Sequence, residues 1–144
     1  MPPPIAAAEL PFEVLRLSNA LVRGLGSLTA RHGLTPQQAG ILFRLASLEK
    51  PPTLAGLGRS LSVSKQNITG MVTRLAEAGL VRREEDPSDM RASRLTLTRK
   101  GSDLAQKLRP AVARWTAGWL EDLGEQERTA AAESLARLLA GVER

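Results

Sequence analysis

Ser62-Val63-Ser64-Lys65-Gln66-Asn67-Ile68-Thr69-Gly70-Met71-Val72-Thr73-Arg74-Leu75-Ala76-Glu77-Ala78-Gly79-Leu80-Val81-Arg82-Arg83-Glu84 is the stretch whose reading decides the fold. Its period changes halfway. At about 100° per residue, Ile68, Met71, Val72 and Leu75 share one side of a helix running from Lys65 to Ala78. Gln66, Asn67, Gly70, Thr73 and Arg74 fall on the opposite side. Gly79 ends the helix, and Leu80–Glu84 then reads as a short strand. A second strand is expected over Ser93–Thr98, with Glu85–Ala92 as a polar hairpin tip.

Upstream of the Ser62-Val63-Ser64 break, Thr53 caps a short helix carrying Leu54, Leu57 and Leu61. Gly56 and Gly58 inside it should each weaken it by roughly 1 kcal/mol relative to Ala. Before that, Thr35-Pro36-Gln37-Gln38 is a helix start: Thr35 caps, Pro36 suits the first turn and Gln38 completes a capping box. Ile41, Leu42, Leu45 and Leu48 continue that helix, and Pro51-Pro52 stops it. Two helices joined by a tight turn and followed at once by a hairpin describe a winged helix-turn-helix.

Further out, Leu10, Val14, Leu17, Leu21, Leu25 and Leu28 mark one stripe of a long first helix, which should stop at Gly33. Downstream, the helical period returns through Leu104, Leu108, Val112, Trp115 and Trp119, with Pro110 expected to bend the helix. Gly124 breaks it, and a last helix carries Leu135, Leu138, Leu139 and Val142. The fold class expected is mainly α with a small β-hairpin wing: a winged helix-turn-helix over residues 35–101, with helical dimerisation extensions over 10–34 and 102–144. Residues 1–9, rich in proline, read as a loose segment. The apolar stripes outside 35–101 are too many for a lobe of that size, and a second copy of the chain is the simplest surface to cover them. The candidate dimer residues are Leu10, Val14, Leu17, Leu21, Leu108, Val112, Trp115, Trp119, Leu135, Leu138 and Leu139.

Charge points to the partner. The 144 residues carry a net +5, and nine basic residues against five acids lie between Thr53 and Lys100, so nearly all the excess is central. A polyanion fits such a patch. On the helix beginning at Lys65 the outward face offers amides, hydroxyls, a glycine and an arginine, where an ordinary solvated face has more Glu and Lys. Carboxamides pair with adenine edges, Arg and Lys with guanine, and hydroxyls with phosphates. Ser64, Lys65, Gln66, Asn67, Thr69, Gly70, Thr73 and Arg74 are therefore the candidate contacts to a major groove. On the wing, Arg91 braced by Asp89, with Arg94 nearby, could enter an adjacent narrow minor groove. A salt-bridged turn without a ligand is the competing reading of that tip.

These motifs resemble the MarR family of regulators. The resemblance lies in Leu34–Gln38, Ser62–Leu75, Gly79–Arg83, Asp86–Ala92 and Leu95–Gly101. Met90 stands where that family often has a basic residue, and Ser62 where a turn glycine is common. The resemblance implies a triangular dimer with intertwined first and last helices, and effector binding between the dimer and DNA-reading parts.

Other classes fit poorly. There is no Cys, and His32 is the only histidine, so thiol chemistry, a histidine-based zinc site and a catalytic triad lack their parts. No catalytic residue, metal or cofactor is expected. The start Met1-Pro2-Pro3-Pro4-Ile5 lacks signal-peptide character and no run suits a membrane span, which places the protein in the cytoplasm. The function expected is a homodimeric, sequence-specific regulator of double-stranded DNA, a repressor relieved by a small-molecule effector at a near-palindromic operator. The alternative is a winged-helix module for protein or RNA contact, which would tolerate acids on the outward helix face.

Overall fold

The computed structural model describes the backbone of residues 4–86 and 88–144, and the side chains of these except 86 and 89–92. Among the described residues six α-helices and one two-stranded antiparallel hairpin follow in order: α1 Leu10–Thr29, α2 Pro36–Ser47, α3 Leu54–Ser60, α4 Lys65–Glu77, β1 Val81–Asp86, β2 Asp89–Leu97, α5 Arg99–Leu120 and α6 Glu125–Val142. A 3-10 turn, Ala30–His32, joins α1 to Gly33, whose φ of 71° is the left-handed stop expected there.

The local start signals work as the sequence implies. Thr35 accepts from the Gln38 amide at 3.2 Å while the Gln38 side chain accepts from the Thr35 amide at 3.0 Å, a complete capping box. Thr53 accepts from the Gly56 amide at 3.0 Å, and Gly79 ends α4 at φ 74°. Two boundaries differ from expectation. Helix α2 stops at Ser47, before the two prolines, and Leu48 at its end is exposed. The strands also run into the stretch read as a polar tip, to Asp86 and from Asp89, with Glu85 opposite Ser93 and a bulge beyond. A ladder joins backbone groups, so charged side chains on a ribbon in water do not end it.

The chain divides into two compact units, Met1–Arg109 and Pro110–Arg144. The first holds a single core: Leu34, Ala39, Ile41, Leu42 and Leu45 around α2, Leu57 of α3, Ile68, Val72 and Leu75 of α4, Leu80, Val81 and Leu95 of the hairpin, and Ala105 and Leu108 of α5. Each element gives this core one face, as its apolar period requires. Arg109 lies over the Phe43 ring, 5.5 Å from its centre, and adds a cation–π contact at the edge of that core. In the second unit Trp115 and Trp119 meet edge to face at 5.7 Å. Glu127 there accepts from the Gly124 amide at 2.8 Å, which stabilises the start of α6. No residue of α6 is buried.

Candidate nucleic-acid interface

The turn into α4 is held by backbone. The Val63 amide donates to Gly58 O at 2.9 Å and the Ser62 amide to Arg59 O at 3.2 Å. Ser62 takes φ 54°, a left-handed conformation that costs a non-glycine residue about 1–2 kcal/mol. That conformation is one a glycine adopts without strain, and Ser62 stands in it here. Gly58 acquires a role that helix propensity hides. A Cβ there would lie 3.2 Å from both Ile68 Cγ2 and Val63 O, so its bare backbone lets α3 and the start of α4 cross closely. Ser64 caps α4 by accepting from the Asn67 amide at 3.3 Å.

The packing of α4 decides which residues face out. Ile68, Val72 and Leu75 are buried, with Met71 half-buried beside them. Ser64, Lys65, Gln66, Asn67, Gly70, Thr73 and Arg74 are exposed, and Thr69 is half-buried. Ser64, Gln66, Asn67, Gly70 and Arg74 come together with Thr35, Gln37 and Gln38 along an open cleft of about 510 Å³ between α2 and α4. Lys65, Thr69 and Thr73 lie outside that cleft. Thr69 and Thr73 point their hydroxyl protons at the helix, donating to Lys65 O at 2.7 Å and Thr69 O at 2.8 Å. In that rotamer they cannot donate to a phosphate, and what remains for a groove is a methyl and oxygen lone pairs. Gln37 is a residue that sequence reasoning missed. It is exposed on the same cleft, but in the sequence it is only the second residue of a capped helix.

The wing is tied to the body by β2. The Leu95 amide donates to Pro52 O at 2.9 Å, Thr53 and Arg94 form a β-bridge, and the Arg94 guanidinium reaches Pro51 O at 3.5 Å. Arg94, a candidate wing contact, thus helps anchor the hairpin. Arg82 pairs with Glu84 at 2.9 Å on β1, an exposed pair of small energetic weight. The Asp89 and Arg91 side chains lie outside the described residues.

The candidate dimer residues do not behave alike. Leu10, Val14, Leu17, Trp119, Leu135, Leu138 and Leu139 are exposed, and Leu21, Val112 and Trp115 are half-buried. Leu108 is the correction: at 1% exposure it belongs to the chain's own core, because it lies on the part of α5 that packs beneath the hairpin-bearing lobe. Helix α1 is also apolar beyond that stripe. Phe12, Leu15 and Val22 are exposed outside it, at roughly 120–200° around the helix from Leu10.

A MarR family profile matches residues 32–92, from the end of the 3-10 turn to the wing. A crystal structure of a probable transcriptional regulator from Pseudomonas aeruginosa is 31% identical, with 87% of this chain and 93% of that one covered at a TM-score of 0.69. The chain belongs to the MarR family. It is a DNA-binding transcriptional regulator and not an enzyme. Among relatives outside that structure, the transcriptional activatory protein BadR of Rhodopseudomonas palustris is 28% identical over 96% of this chain and 81% of its own length. The MarR-type fold extends beyond the matched segment. The S. aureus MepR–DNA complex superposes at a TM-score of 0.81 over 96% of this chain and 99% of that one, at 17% identity. Among the described residues no group of His, Asp and Glu could hold a metal ion, and no helix is long and apolar enough to cross a membrane.

Proposed function

We propose that this MarR-family chain acts in the cytoplasm as a homodimer that reads a near-palindromic double-stranded operator, α4 of each subunit entering a major groove. The observation that carries this reading is the outward side of α4. Gln66, Asn67 and Gly70 stand exposed along its N-terminal turns, Arg74 follows on the same side in its last turn, and its only acid, Glu77, is the last residue. Two carboxamides at the groove-entering end suit adenine edges, and Gly70 allows close approach. Dimerisation is supported by α1, whose exposed apolar surface spreads well beyond one stripe, and by α6, which buries nothing within its own chain. Half-sites should then lie one helical turn apart or a multiple of it.

Bound at a promoter, such a dimer represses by occlusion. The relative BadR is by its name an activator, so the sign is tested by transcription in vitro from a promoter overlapping the site: loss of transcript supports repression and a gain refutes it. The chain has no Cys, and we assign relief to a small-molecule effector rather than to thiol oxidation. Base reading is tested on a duplex selected from a random library by the full-length protein. Gln66→Ala or Asn67→Ala should cost about 1–3 kcal/mol on that duplex and far less on random DNA. Equal losses on both probes, or none, would refute the reading.

A further inference from the structure

Helix α4 ends at Glu77, and its own late carbonyls, of Arg74, Leu75 and Ala76, accept from the amides of Ala78, Leu80 and Gly79. The three carbonyls that follow, of Ala78, Gly79 and Leu80 at the C-cap and the turn after α4, are taken by one short segment at the start of α5. Lys100 Nζ donates to Ala78 O at 2.9 Å, the Thr98 hydroxyl donates to Gly79 O at 2.5 Å, and the Thr98 amide donates to Leu80 O at 3.1 Å. The same Thr98 hydroxyl accepts from the Gly101 amide at 3.1 Å, so one oxygen joins the end of α4 to the first turn of α5. Gly101 completes the joint. It is buried, and a Cβ on it would collide with the Leu80 carbonyl, whose carbon would lie 2.9 Å away. Lys100 also places a cation at the negative end of the α4 dipole.

We infer that Thr98, Lys100 and Gly101 are positioning residues for DNA recognition, setting the tilt of α4 from the start of α5. The inference rests on the proposed reading of DNA by α4. Packing of Ile68, Val72 and Leu75 holds α4 against the core, but apolar contact is non-directional and tolerates rocking. Hydrogen bonds to three consecutive carbonyls are directional. At about 1.5 Å rise per residue, Gln66 lies roughly 18 Å along the axis from Ala78. A tilt of about 5° at the joint therefore moves the reading end by about 1.5 Å, enough to break a hydrogen bond of ordinary length. Placement of α5 and register of α4 in the groove are thus one mechanical variable.

The test uses full-length protein, a duplex selected from a random library, and a random-sequence duplex of equal length. Thr98→Val removes the hydroxyl with little change of shape, Lys100→Met keeps the apolar stem, and Thr98→Ser restores the hydroxyl. Well below the melting transition, Thr98→Val and Lys100→Met should lower affinity for the selected duplex roughly tenfold. Random DNA should change by less than about twofold, with the salt slope unaltered. Thr98→Ser should recover most of the affinity. A purely structural joint would lower the melting temperature and leave the ratio of selected to random affinity as it was, which overturns the inference. A salt slope reduced by about one in Lys100→Met would make Lys100 a phosphate contact and overturn its assignment. Gln66→Ala on the same probes separates the two layers of argument. Loss there with none at the joint overturns the joint alone, whereas no loss in any variant overturns the reading of α4 and the joint with it.

Discussion

Gly101→Ala and Gly118→Ala form a controlled pair, since both glycines lie inside α5. Propensity alone favours Ala over Gly by about 1 kcal/mol in a helix interior, so by that measure both variants should gain stability. The surroundings differ. A Cβ at Gly118 meets nothing within 4 Å, whereas at Gly101 it runs into the Leu80 carbonyl, with Leu80 Cα also only 3.3 Å away. Relief requires α5 and the turn after α4 to part by about 1 Å, and forced overpacking of this kind costs about 1–3 kcal/mol. Parting also strains the Thr98–Gly79 and Lys100–Ala78 hydrogen bonds, worth about 1 kcal/mol each. Set against the propensity gain, Gly101→Ala should destabilise by about 2–4 kcal/mol, a fall in Tm of roughly 10 °C for a chain of this size. Gly118→Ala should raise Tm by a few degrees. Circular-dichroism melts and urea titrations at equal protein concentration measure both. If Gly101→Ala matches or exceeds the wild-type Tm, the close approach does not constrain the fold and the steric reasoning is refuted.

If Arg91 enters a minor groove from the wing, Arg91→Ala should weaken binding most at A·T-flanked sites and reduce the salt slope by about one, with Asp89→Ala milder; full binding with the slope intact excludes that contact. Leu138→Asp places a charge on the exposed apolar side of α6 and should yield a monomer at micromolar concentration in sedimentation, with most operator affinity lost. A dimer that survives this change, or a wild-type monomer, removes the proposed interface. Peroxide at doses that spare Met and Trp should leave DNA binding intact because the chain has no Cys, and a loss reversible by a thiol reductant would contradict this.

What could be read in the sequence is what is encoded within a turn or two of chain. Thr35 and Gln38 announce their capping box at a spacing of three residues, and the buried side of α4 follows from the recurrence of Ile68, Val72 and Leu75. The outward side of α4, and with it the candidate contacts, comes from the same periodicity. Tertiary structure decided the features whose partners are far apart in the chain. Lys100 caps Ala78 across 22 positions and Arg94 reaches Pro51 across 43, and no local period marks either pair. Leu108 reads like the rest of its stripe, yet it is buried in its own core, because the stripe records only that a surface is apolar, not which surface covers it. Gly58 and Gly101 look like weak points by propensity, a property of one helix alone. Their use is to let two backbones approach, which exists only once Ile68 and Leu80 have been brought against them.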